Sequence, residues 1–287
     1  MTCKYDVLFP SSFFLLIRSL KVIILLRIFR FAQFFIAPTF DPSSVDREIK
    51  AVDSENQKNL QSDMWRLNQL EKSTCRPDHP YSKFGTGNLT TLKTEPEKLG
   101  LNVRDELINF HTKYYSANLM TLCMLGKESL DELQQYAVEM FSPIPNKNLN
   151  KIDFDPNPFG ADTLTDVHYV VPVQDLRQLA LTWVTPDYRD HYETSPHHYV
   201  SHLIGHEASG SLLSELKRKG WCTSIYAGSS REARGFQFFN IVADLSEEGG
   251  ENVDEILKLT FQYINMIKRE RATKWVFDEM NDLGKIS

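Results

Sequence analysis

The chain has 287 residues and a formal net charge of −6, with 41% hydrophobic and 24% charged residues, which suits one large or two medium globular domains with real cores. Residues 1–37 hold five Lys/Arg against one Asp, giving +4 there and −10 over the remainder, and an acidic body excludes nucleic acid as an expected partner. Cys3, Cys75, Cys123 and Cys222 form no Cys-x-x-Cys pair, so neither a disulfide framework nor a thiolate zinc site is expected, and reduced cysteines point to a cytoplasmic protein.

Val7–Ile17 is uncharged and apolar, but Arg18 and Lys21 interrupt before Val22–Leu26, and Arg27 and Arg30 follow. No apolar run reaches the ~18 to 20 residues of a transmembrane helix. A span with two buried cations costs roughly 2.5 to 3.5 kcal/mol for each one near the bilayer centre. A clean signal-peptide cleavage site is lacking too. Membrane association of residues 7–37 and a mitochondrial import signal are therefore the lesser readings of this segment.

Residues 31–37 read as an apolar helix end, which Pro38 breaks. A long helix follows, carrying Glu48 and Glu55 seven residues apart, hence on one face. On spacing alone that pair is an ordinary solvated helix face. Phe84-Gly-Thr-Gly-Asn88 lacks both the third glycine of a dinucleotide fingerprint and the Gly-Lys-Ser/Thr of a P-loop, so it reads as a tight turn. Asn88-Leu-Thr90 fits a glycosylation triplet, a common pattern. Asn102 can cap a helix with Leu107, Phe110 or His111, and Tyr114 on one side. Asn118–Leu125 reads as a buried strand closed by Gly126. Ser129-Leu-Asp-Glu132 is a capping box opening a helix with Leu133, Ala137, Met140 and Phe141 on one face. Residues 143–160, with four prolines and no periodicity, read as a linker.

Beyond it, His168–Pro172 and Leu179–Trp183 read as strands. A helix starts near Ser195 with Pro196 in its first turn and carries His198, His202 and His206. These three, at i, i+4 and i+8, could grip a metal from one face, but the plainer reading is packing, capping or substrate contact. Leu212, Leu213 and Leu216 belong to another helix, ended by Gly220. Trp221–Tyr226 and Phe236–Ala243 read as paired strands with Gly228-Ser-Ser as their turn. Val253–Ile267 reads as the last long helix. None of the eight histidines begins a His-x-x-Glu-His or His-Glu-x-x-His motif, and none precedes His79.

Several long words raise the Glu48/Glu55 pair above that bland reading: Arg30-Phe-Ala-Gln-Phe-Phe, Asp46-Arg-Glu48, Ala51-Val-Asp-Ser-Glu55, Tyr81-Ser-Lys-Phe-Gly-Thr-Gly-Asn88, His202-Leu-Ile-Gly-His-Glu207, and Ser211-Leu-Leu-Ser-Glu-Leu216 running on to Gly220-Trp221. In this order they resemble the pitrilysin family of zinc metallopeptidases, and its insulysin-like members in particular, over residues 30 to 283. The resemblance implies an α+β fold of two-layer units: a foreign N-terminal segment (1–29), the C-terminal part of a first unit (30–142), the linker (143–160), and most of a second, non-catalytic unit (161–287).

It also implies that Glu55 is the third zinc ligand, supported by Glu48. A catalytic zinc takes three protein ligands and leaves a fourth position for the attacking water; in this family two of them come from a His-x-x-Glu-His helix whose glutamate is the base. With that motif absent, zinc is the family's cofactor but is not expected to be bound by this chain alone, and no residue here is assigned a catalytic role. Gly205, His206, Glu207, Gly210, Ser211 and Leu212, with Ile225, Tyr226, Ala227, Gly228 and Ser229, match the surface that anchors a peptide substrate's N-terminus. Ser209 and Ala227 depart from the family's usual proline and glycine. The expected function is that of an insulysin-like metalloendopeptidase homologue without autonomous activity, its partners being peptides. The alternative is a catalytically dead peptide-binding protein or a regulatory partner of a full-length relative.

Overall fold

The computed structural model describes residues 20–161 and 166–286; the apolar run Val7–Ile17 and Arg18 lie outside them. Helices α1 (Leu20–Ile36), α2 (Pro42–Asn59), α3 (Asp63–Ser73), α4 (Glu95–Lys98), α5 (Val103–Tyr114) and α6 (Leu130–Phe141) come first. Strand β1 (Gln178–Pro186), helices α7 (Pro196–Ile204) and α8 (Leu212–Arg218), strands β2 (Cys222–Ala233) and β3 (Phe236–Leu245), and helices α9 (Glu247–Glu251), α10 (Val253–Glu270) and α11 (Lys274–Ile286) follow. The described residues fall into two compact units, one within Met1–Ser54 and Gly87–Lys151, the other within Glu55–Thr86 and Ile152–Ser287. The fold is α+β.

The first unit is helical, and its helix starts follow from local chemistry. Asn102 accepts hydrogen bonds from the Arg104 and Asp105 amides at the head of α5, and Ser129 and Glu132 complete the expected capping box of α6. Ala32 is fully buried on α1, where Phe31 packs edge-on against Phe141 and Phe35 lies near Tyr115. Phe40 has a positive φ of 45°, and its carbonyl accepts from the Arg104 guanidinium at 2.6 Å. Asn88 caps a helical turn: its side chain accepts from the Thr91 amide, and the Thr91 hydroxyl accepts from the Asn88 amide.

The expected strand at Asn118–Leu125 is not formed. Ala117–Leu119 is a 3-10 turn, held by Asn118 donating to the Leu149 carbonyl, and Met120–Leu125 has no ladder partner among the described residues. Its composition suits a strand, but a strand needs a neighbour to bond with; Leu125 is left fully exposed.

The second unit is built on an antiparallel sheet of order β1-β3-β2. On one face Leu212, Leu213 and Leu216 of α8 pack with Cys222, Ala243 and Ile256, flanked by Leu259 and Tyr263 of α10. A second cluster gathers Phe236, Phe238, Tyr81, Phe159 and the buried His79. His79 is held at both ring nitrogens: Nδ1 accepts from the Tyr81 amide and Nε2 donates to the Asp155 carbonyl, 3.1 Å each.

Two strand expectations are corrected here. His168–Pro172 is not in a ladder; this extended segment is tied to α3, with Arg66 donating to the Val171 carbonyl and Asp63 accepting from the Val173 and Gln174 amides. Gly228-Ser-Ser is not a turn but the middle of β2, paired with Phe238–Asn240, while the chain reverses at Arg234–Gly235. The reason is that Gly235 holds φ +102° and Gly228 has no positive φ. The small hydroxyls of Ser229 and Ser230 accept instead from the Gln237 and Asn240 side-chain amides across the pair.

Candidate functional site

Glu48 and Glu55 lie on the exposed side of α2, as their spacing requires, while Ile49 and Asn56 are buried. Neighbouring polar groups serve the structure: Asp53 accepts from the Leu89 amide, and the Thr86 hydroxyl donates to Asn56. The donor set does not fit a catalytic zinc. Among the described residues no three His, Cys, Asp or Glu side chains converge as a cation requires, no histidine precedes His79 in the sequence, and both ring nitrogens of His79 are engaged. Glu55 is thus one oxygen donor where three ligands are needed.

The histidine row does not supply the others. Helix α7 ends at Ile204 with Gly205 as its C-cap, so His206 falls outside the helix that would have stacked it above His198 and His202. The rings of His202 and His206 are 5.6 Å apart, but His206 Nδ1 accepts from the Ala208 amide. The neutral ring then carries its proton on Nε2 and offers no lone pair there. His197 stacks on Tyr188, centroids 5.7 Å apart.

The residues matching the substrate-anchoring surface do come together around β2. Strand β2 is at the sheet's edge, with β3 as its one strand partner among the described residues, and α7 and α8 both lie against it. Between these helices, His206, Glu207 and Gly210 are exposed, Gly205 is half-buried, and Gly210 turns the chain at φ +87°. Ser211 caps α8 by accepting from the Ser214 amide, and Leu212 is in the core. These last two hold the loop rather than face solvent.

Along the strand, Ile225 and Ala227 are half-buried and Tyr226 is 59% exposed. Gly228 is buried beneath the Tyr226 ring, whose hydroxyl lies 2.7 Å from where a β-carbon would sit. Ser229 faces Gln237. The site is electrostatically mild: Glu207 stands 4.0 Å from Lys217, Glu215 is held below the usual carboxylate range by its hydrogen bonds with Arg218, and burial raises the Cys222 thiol. An edge strand beside an exposed glycine-bearing loop can accept an extended peptide as a further strand. Sequence reading missed Gln237 and Asn240, which brace this strand from its partner by donating to Ser229 and Ser230; their signal, polar residues within the otherwise apolar strand β3, is clear only once the register is known.

Residues 102–282 match the family model described as "Peptidase M16 inactive domain", and residues 27–78 match "Insulinase (Peptidase family M16)". The chain is 50% identical over 258 residues to insulin-degrading enzyme of Homo sapiens, covering 90% of this chain and 25% of that protein. It is 45% identical over 256 residues to A-factor-processing enzyme of Saccharomyces cerevisiae, covering 89% and 25%. Among solved structures it is similar to pitrilysin, with a TM-score of 0.84 and 28% identity over 90% of this chain and 27% of that one. The chain therefore spans about a quarter of the length of the curated relatives it matches.

Proposed function

The chain belongs to peptidase family M16, the pitrilysin family of zinc metallopeptidases, and from that premise we propose that it acts as a peptide-binding member which does not hydrolyse peptides by itself. The observation that carries this is the pairing of an edge strand, β2, with the exposed loop at His206–Gly210, in a chain whose sequence holds no His-x-x-Glu-His motif. Extended peptide segments are the ligand class. Two of the relatives carry names that state action on insulin and on A-factor, and an edge strand reads backbone first and side chains second.

Hydrolysis would need an activated water, a base and a polarised carbonyl. The exposed Glu55 alone supplies neither the activated water nor the polarised carbonyl. The working compartment in this reading is the cytoplasm, in keeping with the three free cysteines among the described residues. The second reading, a regulatory partner of a full-length relative, is favoured by the exposed apolar side chains of the first unit, Leu122 and Leu125 among them.

The reading is tested by titrating a fluorescently labelled 20-residue peptide with the purified chain, following anisotropy for binding and mass for cleavage. Saturable binding with intact peptide is expected. Absence of binding, or cleavage that a chelator abolishes, overturns it.

A further inference from the structure

We propose that strand β1 pairs edge to edge with β1 of a second copy of this chain, about a twofold axis through Thr182, so that two three-stranded sheets join into one. Among the described residues β3 is the one strand partner of β1, which ends the sheet. An edge strand is a template for a further strand, and proteins normally guard it with charged side chains, bulges or an internal proline. Strand β1, Gln-Leu-Ala-Leu-Thr-Trp-Val-Thr-Pro, holds no Lys, Arg, Asp or Glu, and its proline comes last. Its register with β3 runs unbroken from Gln178↔Asp244 to Pro186↔Phe236, whereas β2, at the opposite edge, has register shifts between Cys222 and Ser224 and between Ser230 and Ala233. The 9 residues of β1 at ~3.4 Å each make roughly 30 Å of unguarded edge.

Charge selects a copy of the chain as the occupant. Asp175 and Arg177 precede the strand, and Asp187 and Arg189 follow it. A twofold axis through Thr182 sets Arg177 against the copy's Asp187 and Asp175 against the copy's Arg189, opposite signs each time. Slipping the pairing by two residues, the smallest slip that keeps every side chain on its own face, sets Asp175 against Asp187 or Arg177 against Arg189, like against like. Each flank is anchored in its own chain, Arg177 donating to Asp175 at 2.7 Å and Arg189 to Asp187 at 2.9 Å, which fixes where each sign sits. Inside the strand the same register is self-complementary. Leu179, Leu181 and Trp183 alternate onto the face that packs on the helices, Leu179 against the α8 cluster and Trp183 edge-on to Phe261 of α10. Leu181 then meets the copy's Trp183, Ala180 its Val184 and Thr182 its Thr182, pairs that stabilise neighbouring strands. With the axis perpendicular to the sheet, α8 and α10 of both copies lie on one side, and the two β2 edges stay at the outer ends of the joined sheet.

The test is sedimentation equilibrium of the full chain across a wide range of concentration, beside Thr182→Lys and Thr182→Glu. Thr182 is exposed, and at the axis either new charge meets its like. The parent is expected to pass from monomer to dimer. Each variant should associate about tenfold or more weakly with an unchanged circular dichroism spectrum, and an equimolar mixture of the two should regain the parent's affinity to within about threefold, since Lys then faces Glu. The parent alone gives a second measurement that needs no variant: amides of residues 178–186 should exchange hydrogen about tenfold more slowly in the dimer than in the monomer, and those of residues 222–233 should not change. A parent that stays monomeric, variants that dimerise as it does, a mixture no tighter than either variant, or exchange at residues 178–186 that is indifferent to concentration overturns the proposal.

Discussion

Replacing Gly235 by alanine tests the hairpin that sets β2 against β3, and with it the edge on which peptide binding depends. Gly235 sits at φ +102°, and a β-carbon there would lie 2.4 Å from the Phe154 carbonyl oxygen. That carbonyl cannot withdraw freely, since the Phe154 amide donates to the Arg234 carbonyl in the same turn. The left-handed backbone costs a non-glycine residue ~1–2 kcal/mol, and displacing packed backbone adds ~1–3 kcal/mol. The total is therefore roughly 2–5 kcal/mol. At about 2–4 °C per kcal/mol for a domain of this order, the midpoint of thermal unfolding by circular dichroism should fall by roughly 4–20 °C.

Gly250 is the internal control. It lies in α9 with nothing within 4 Å of its would-be β-carbon and no positive φ, so Gly250→Ala should be neutral or stabilise by ~0.4–1 kcal/mol. A Gly235→Ala protein that unfolds within about 1 °C of the parent would refute the reasoning.

Leu216→Ala removes a fully buried side chain from the α8 cluster and should cost ~2–5 kcal/mol by denaturant titration. Glu55→Gln should leave peptide affinity unchanged and should not alter zinc retained after gel filtration, measured by atomic emission, because one carboxylate does not make the site. Acid should destabilise the second unit. Asp187 is held well below the usual carboxylate range, first by its hydrogen bonds with Arg189, and Asp63 below it too, first by the Gln174 and Val173 amides. A depressed folded-state pKa stabilises above the ordinary value of about 3.9, and the contribution is lost as pH falls below that towards the folded-state value. The unfolding midpoint should therefore be flat from pH 7 to 5 and drop below pH 4, and Asp63→Asn should flatten that drop; a drop unaltered by the substitution would count against the clamp.

What was legible in the sequence was what local chemistry decides. The caps at Asn102 and Ser129, Pro196 in the first turn of α7, and the exposed face shared by Glu48 and Glu55 depend on residues within one or two turns of each other. The lack of a His-x-x-Glu-His motif needs no structure at all. What was not legible depends on distant partners. Asn118–Leu125 and His168–Pro172 have strand composition, but neither meets a strand among the described residues, and the second is clamped by Asp63 and Arg66 some hundred residues earlier. Gly228-Ser-Ser resembles a turn because small polar residues are common in turns, yet the register with β3 and the strained φ of Gly235 carry the strand seven residues further. The edge position of β2 follows from the order β1-β3-β2, which no local pattern encodes. His206 left the expected helical row because Gly205 ends the helix one residue before it.

The central claim, peptide capture without hydrolysis, is tested most directly by one titration with zinc present, in which a labelled 20-residue peptide is compared with its backbone N-methylated counterpart by anisotropy and mass. Saturable binding of the first, loss of binding on N-methylation, and an intact peptide mass after overnight incubation are the results predicted. Cleavage that is abolished by a chelator and by Glu55→Gln would contradict the account.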